Sequence, residues 1–219
     1  MIIKRDFVYT PKGKNRPLHI HLPEGYFDTD ARYPVMYFFD GHNLFSDEDA
    51  TYGKSWGMQA FLKSWPKDMI IVGIECGHEG YERLSEYLPY PAVGYFGQFE
   101  PWGEKTMEWI VHEIKPMIDR EYRTIPFREC TAIGGSSMGG IMSLYAAVHY
   151  NAGFPRQPVS PQPWASAWNR CLQTCMRAPS APIPVSIFPG EPGKRRSGTI
   201  TALTAAALPI TTTRLLPIT

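Results

Sequence analysis

Gly135, Ser137 and Gly139 alternate along the run Gly134-Gly135-Ser136-Ser137-Met138-Gly139-Gly140, the G-x-S-x-G spacing of a nucleophile elbow. The chemistry that spacing serves is acyl capture by a serine hydroxyl. A serine held on a strained strand-to-helix bend has its hydroxyl thrust out of the turn. A side chain two residues to either side would strike neighbouring backbone, so glycine belongs there. Met138 follows the serine, and its backbone N–H, at the start of a helix, would turn partial positive charge toward the oxygen on which negative charge develops. Ser137 is therefore the candidate nucleophile, Met138 a candidate oxyanion donor, and Gly135 and Gly139 the elbow glycines. The competing reading is a Gly/Ser turn that merely packs a helix close to a strand.

Such a bend needs a strand before it and a helix after it. Cys130 to Ile133 supplies a short apolar run and Ile141 to Tyr150 an amphipathic one. Upstream, Pro34 to Phe39 stays apolar until Asp40-Gly41-His42-Asn43 breaks it, the pattern of a strand covered on both faces in the middle of a sheet. The loop after such a strand opens at the carboxyl edge, where open α/β sheets place their ligands. Gly41 and His42 there either present the second N–H of an oxyanion hole or form a plain strand-to-helix turn. Met69 to Glu75 is the next buried strand, while Ile2 to Tyr9 and Leu18 to Leu22 alternate between Pro and Gly boundaries and predict an antiparallel hairpin. Trp56, Ala60, Phe61 and Trp65 predict one face of a helix between Gly53 and Pro66. Met107, Ile110, Val111, Ile114 and Ile118 predict a second, from Glu104 to Ile118. Between them, Cys76 to Gly103 is aperiodic and predicts an irregular excursion that shapes a cleft. Strands alternating with helices predict an α/β fold: a mostly parallel sheet with helices on both faces.

Composition narrows the function classes. A formal net charge of +1 over 219 residues argues against a polyanion partner such as nucleic acid. No run of 18 apolar residues predicts a membrane span, and the charged Lys4-Arg5-Asp6 comes too early for a secretory leader, so a cytoplasmic location is expected. No nucleotide loop or metal cage is legible, so neither cofactor nor metal is expected. His19 and His21 would share a strand face but lack a third ligand. Cys76 and Cys130 read as packing residues, and Cys171 and Cys175 stand without a second pair.

Several stretches together resemble the putative esterase family of α/β-hydrolases, with its esterase D-like and enterochelin esterase-like members. They are YPVMYFFDGHNLF (33–45), IIVGIE (70–75), RLSEYLPY (83–90), EIKPMIDREYRT (113–124) and IGGSSMGGIMSLYAA (133–147), covering roughly residues 1–150. The resemblance implies an α/β-hydrolase fold and a serine hydrolase of the carboxylesterase type that cleaves small-molecule esters through an acyl-enzyme. Ser137 matches the family nucleophile, Met138 the oxyanion-hole residue, and the Gly41–His42 loop its second half. In this fold the triad acid and histidine follow the serine in that order.

Residues 151–219 do not supply them. From Asn151 onward there is no Asp and no His, Glu191 is the single acid, and eleven of the 21 prolines fall here. We read this Pro/Ala/Thr-rich stretch as poorly ordered, with the C-terminal strands and helix of the fold incomplete. Either the reading frame shifts near residue 151 or the tail is a natural divergent one. Activity is expected to be impaired, because a serine hydroxyl is a poor nucleophile without a base. His149 lies too far along the helix that leaves the elbow, whereas His42, oriented by Asp40 or Glu75, could substitute. The alternatives are an acyltransferase of the same fold and a catalytically dead binding protein. Substrate and oligomeric state stay open.

Overall fold

The computed structural model describes residues 1–94 and 97–150; the expectations for 151–219 lie outside the described residues. Strands β1 (Ile2–Tyr9) and β2 (Lys14–His21) form the predicted hairpin. After them come β3 (Val35–Phe39), helix α1 (Met58–Ser64), β4 (Ile70–Ile74) and the short helix α2 (Glu82–Glu86). A two-stranded ribbon, β5 (Ala92–Gly94) and β6 (Gly97–Phe99), leads to α3 (Gly103–Trp109), which continues through a π-turn (Ile110–Ile114) into α4 (Lys115–Glu121). The last described elements are β7 (Thr131–Gly134) and α5 (Met138–His149).

The five-stranded sheet runs β1-β2-β4-β3-β7. It is mixed: the hairpin joins β4 antiparallel, whereas β3 runs parallel to both β4 and β7. All five residues of β4 are buried, as its unbroken apolar run requires. Alternation along β3 divides the core. Val35, Tyr37 and Phe39 face a cluster completed by Met107, Ile110, Ile114, Ile118 and the α5 residues Met138, Ile141 and Met142. Phe38 faces the other way, with Ile71, Leu44, Phe45 and Met58 of α1. Helices thus cover both faces, and each fully buried aliphatic or aromatic side chain contributes roughly 1.5–3 kcal/mol. No helix among the described residues is long and apolar enough to cross a membrane.

Three local departures have physical causes. Strand β2 begins four residues before Leu18 and contains Pro17. Its ladder to β4 starts only at Leu18, so the missing N–H of Pro17 faces the point where β4 has ended. Helix α1 is shorter than its pattern, starting after Gly57 in the left-handed region (φ 71°), and it buries Met58 and half-buries Leu62 rather than Ala60 and Phe61. Exposed Phe61 instead packs at a tilt on half-buried Trp65, ring centroids 5.1 Å apart. The π-turn in the long helix comes just before Pro116, whose ring would clash with the carbonyl four residues back in a regular α-helix. The excursion after β4 is also less irregular than expected, since it contains α2 and the β5–β6 ribbon.

Candidate active site

Strand β7 ends at Gly134 opposite Phe38, and the chain turns sharply into α5. At the bend Ser137 has φ 55° and ψ −119°, outside the left-handed helical well, a conformation with a cost on the order of 1–3 kcal/mol. The strain is locked in by contacts. The Gly139 N–H donates to the Ser136 carbonyl at 2.9 Å and the Ile141 N–H to the Ser137 carbonyl at 3.1 Å, while Met138 sinks into the core at 4% exposure. A Cβ placed on Gly135 would lie 2.6 Å from the carbonyl carbon of Gly139, so the two glycines meet backbone to backbone. Between buried Ser136 and buried Met138, Ser137 alone is exposed. The Met138 amide lies in the first turn of α5, where helix geometry leaves amides without carbonyl partners.

The loop after β3 adjoins the elbow. A Cβ on Gly139 would sit 2.9 Å from Phe39 Cβ and 3.4 Å from Asp40 Oδ2. Asp40 is itself left-handed (φ 59°) and 1% exposed, and its carboxylate is gripped by Arg83 from Nε at 2.7 Å and from the terminal nitrogen at 2.8 Å. The Asp40 N–H donates to the Tyr87 hydroxyl at 3.0 Å. Gly41 and His42 then turn in a single 3₁₀ turn, Gly41–Asn43. Gly41 lies directly on β4, where a Cβ would fall 2.3 Å from the carbonyl carbon of Gly73. The fold therefore brings Ser137, Met138, Gly41 and His42 to the carboxyl edge of adjacent parallel strands.

The histidines are otherwise engaged. His42 Nε2 meets Thr51 Oγ1 at 2.9 Å and Asn43 Nδ2 at 3.0 Å, and burial holds its pKa below the usual imidazole value. Asp40 is committed to Arg83 and Glu75 to His19 and His78, so neither orients His42 through a hydrogen bond. Burial alone would raise the Glu75 pKa, but the bonds from His19 and His78 outweigh it and hold the carboxyl below its ordinary value. His149 contacts the Tyr90 hydroxyl at 2.9 Å and packs on Tyr145 at the far end of α5, about 18 Å along the helix from Ser137. The sequence assigned no role to Arg83 or Tyr87, which shape the loop. Cys76 is buried as expected, whereas Cys130 is only half-buried in a 3₁₀ turn before β7.

The sequence model of the family described as Putative esterase matches residues 11–181, running past residue 150. The Bacillus subtilis protein YbbA, described as uncharacterised, is 25% identical over 146 residues, 65% of this chain and 55% of its own. An esterase of Mycobacterium tuberculosis is 29% identical over 139 residues, 63% of this chain and 27% of its own. The chain thus spans about half of the first relative and about a quarter of the second. Among solved structures, an IroE-like serine hydrolase from Shewanella oneidensis superposes with a TM-score of 0.57 at 19% identity, over 80% of this chain and 56% of that one. The BES protein of Bacillus cereus gives 0.54 at 21% identity, over 80% and 66%. These likenesses are of fold, and the fold is that of the α/β-hydrolases.

Proposed function

This chain belongs to the putative esterase family, and on that premise we propose that it captures the acyl group of a small-molecule carboxylic ester on Ser137. The observation that carries this is the pairing of a strained backbone (φ 55°, ψ −119°) with an exposed side chain at that one residue. The hydroxyl oxygen attacks the ester carbonyl carbon. The carbonyl oxygen, now an oxyanion, accepts hydrogen bonds from the Met138 amide and from the amides of the Gly41–His42 turn. Collapse of the intermediate expels the alcohol, which takes up the serine proton by way of solvent, and water then cleaves the acyl-enzyme.

The base is the weak point of this chain. Residues 151–219 contain neither Asp nor His; upstream, His42 is held by Thr51, His19 and His78 by Glu75, His112 by Glu108 and His149 by Tyr90, while His21 stacks on Phe45. Turnover is therefore slow, with the elbow and oxyanion donors alone supplying about 10³–10⁴-fold over water. Exposed Tyr81, edge-on to Phe99 at 5.4 Å in the aromatic-rich segment after β4, favours an apolar or ring-bearing ester. Hydrolysis of p-nitrophenyl acetate is the test. Hydrolysis above the uncatalysed rate that Ser137→Ala abolishes is expected, and equal rates for the two proteins would overturn the proposal.

A further inference from the structure

His42 follows β3, and Cys76 and His78 follow β4; because those strands pair in parallel, Phe39 beside Ile74, the three residues converge at one edge. One ligand atom from each lies within 4.8 Å of the others. We propose that His42, Cys76 and His78 form a binding site for a zinc-like divalent ion, with the fourth position open to solvent.

The donor chemistry selects the ion. One thiolate and two imidazoles suit zinc, with bonds of about 2.0–2.3 Å, which in a tetrahedron places ligands roughly 3.5 Å apart. About 1 Å of closure is needed, and the movement falls to exposed His78 because the other two ligands are buried. The rings of His42 and His78 already meet edge to face, centroids 4.6 Å apart. His42 Nδ1 is buried with no hydrogen-bond partner, an orphan that a metal would satisfy. Binding there places the His42 proton on Nε2, which then donates to Thr51 Oγ1 at 2.9 Å and gives up the Asn43 contact.

The surroundings hold the ligands in place. His78 Nε2 is 3.0 Å from Glu75 Oε2, the carboxylate-to-imidazole bond that orients metal-bound histidines and leaves the other ring nitrogen for the ion. Between the two ligands of this strand end, the Gly77 N–H donates to Glu86 Oε2 at 2.7 Å, and buried Glu86 is ion-paired with buried Arg16. Binding converts the Cys76 thiol to a thiolate and releases its proton to solvent. Nothing in this site requires Ser137 to turn over, so the failure of either proposal leaves the other standing.

The test is titration of the reduced protein, residues 1–219, with Co²⁺. It is done in a Cys171→Ser, Cys175→Ser background that leaves Cys76 and Cys130 as the only thiols. One Co²⁺ per chain with a thiolate-to-cobalt charge-transfer band, displaced by Zn²⁺, is expected. Cys76→Ser removes the band, His78→Ala weakens affinity by at least about tenfold, and His112→Ala, on the exposed face of the π-turn, changes nothing. Because His78 is exposed, its variant stays folded and informative even if Cys76→Ser does not. No charge-transfer band, or binding indifferent to His78→Ala, overturns the site.

Discussion

The Arg83 guanidinium forks onto both carboxylate oxygens of Asp40, at 2.7 and 2.8 Å, and so fixes the loop that carries Gly41 and His42. The pair is asymmetric: the Asp40 side chain is 2% exposed and that of Arg83 33%. Removing the cation strands a buried carboxylate in a left-handed residue, a loss of roughly 3 kcal/mol. Urea unfolding of Arg83→Ala should show it, with Arg83→Lys intermediate because an ammonium cannot grip both oxygens.

Backbone contact at two glycine pairs is the second prediction. A methyl group at Gly135 would meet Gly139 at 2.6 Å, and one at Gly41 would meet Gly73 at 2.3 Å. Both approaches are backbone against backbone, so neither can relax by side-chain rotation. Gly135→Ala and Gly41→Ala are each expected to cost at least about 1–3 kcal/mol. Gly53→Ala, whose methyl meets nothing, is expected to cost only the ~1 kcal/mol of its positive φ. Thermal unfolding of the three variants side by side checks this.

Buried phenols predict the alkaline limit of stability. Burial is the main cause in Tyr9, Tyr37 and Tyr87 alike; it pushes Tyr9 to about 12 and the other two higher. The unfolded chain releases these protons near pH 10 while the folded one keeps them. Stability is thus fully present below pH 10 and is lost as pH rises through 12. Circular dichroism and tyrosinate absorbance should change together in that window. Tyr37, whose hydroxyl is buried without a partner, gives the complement: Tyr37→Phe should gain about 1–2 kcal/mol at neutral pH.

What was legible in the sequence was local. The apolar run of β4, the alternation of β1 and the glycine spacing of the elbow each follow from rules that act over a few residues. The buried face of α3–α4 was legible too, from Met107 to Ile118. The face of α1 was misread because Phe61 and Trp65 pack on one another. Gly41 with Gly73, and His42 with Cys76 and His78, are joined by strand pairing, and Asp40 with Arg83 by the packing of α2, and no periodicity reports contacts between residues more than thirty positions apart.

The break in composition at Asn151 carries a prediction about the coding DNA. We propose a shifted reading frame near there, because no His or Tyr follows Tyr150 and Glu191 is the one acid in the 69 residues that remain. Translation of the alternative frames downstream of codon 151 should give an Asp and then a His, in the order this fold requires. An intact frame in an expressed transcript would contradict it.

In the proposed function the elbow presents the Ser137 hydroxyl for acyl capture. Incubating the folded protein with a fluorophosphonate probe and mapping the adduct by mass spectrometry tests it most directly. Slow, single-site labelling at Ser137 is expected, abolished by Ser137→Ala and reduced by Gly135→Ala. No adduct on the folded protein, or an adduct on another residue that persists in Ser137→Ala, would contradict it.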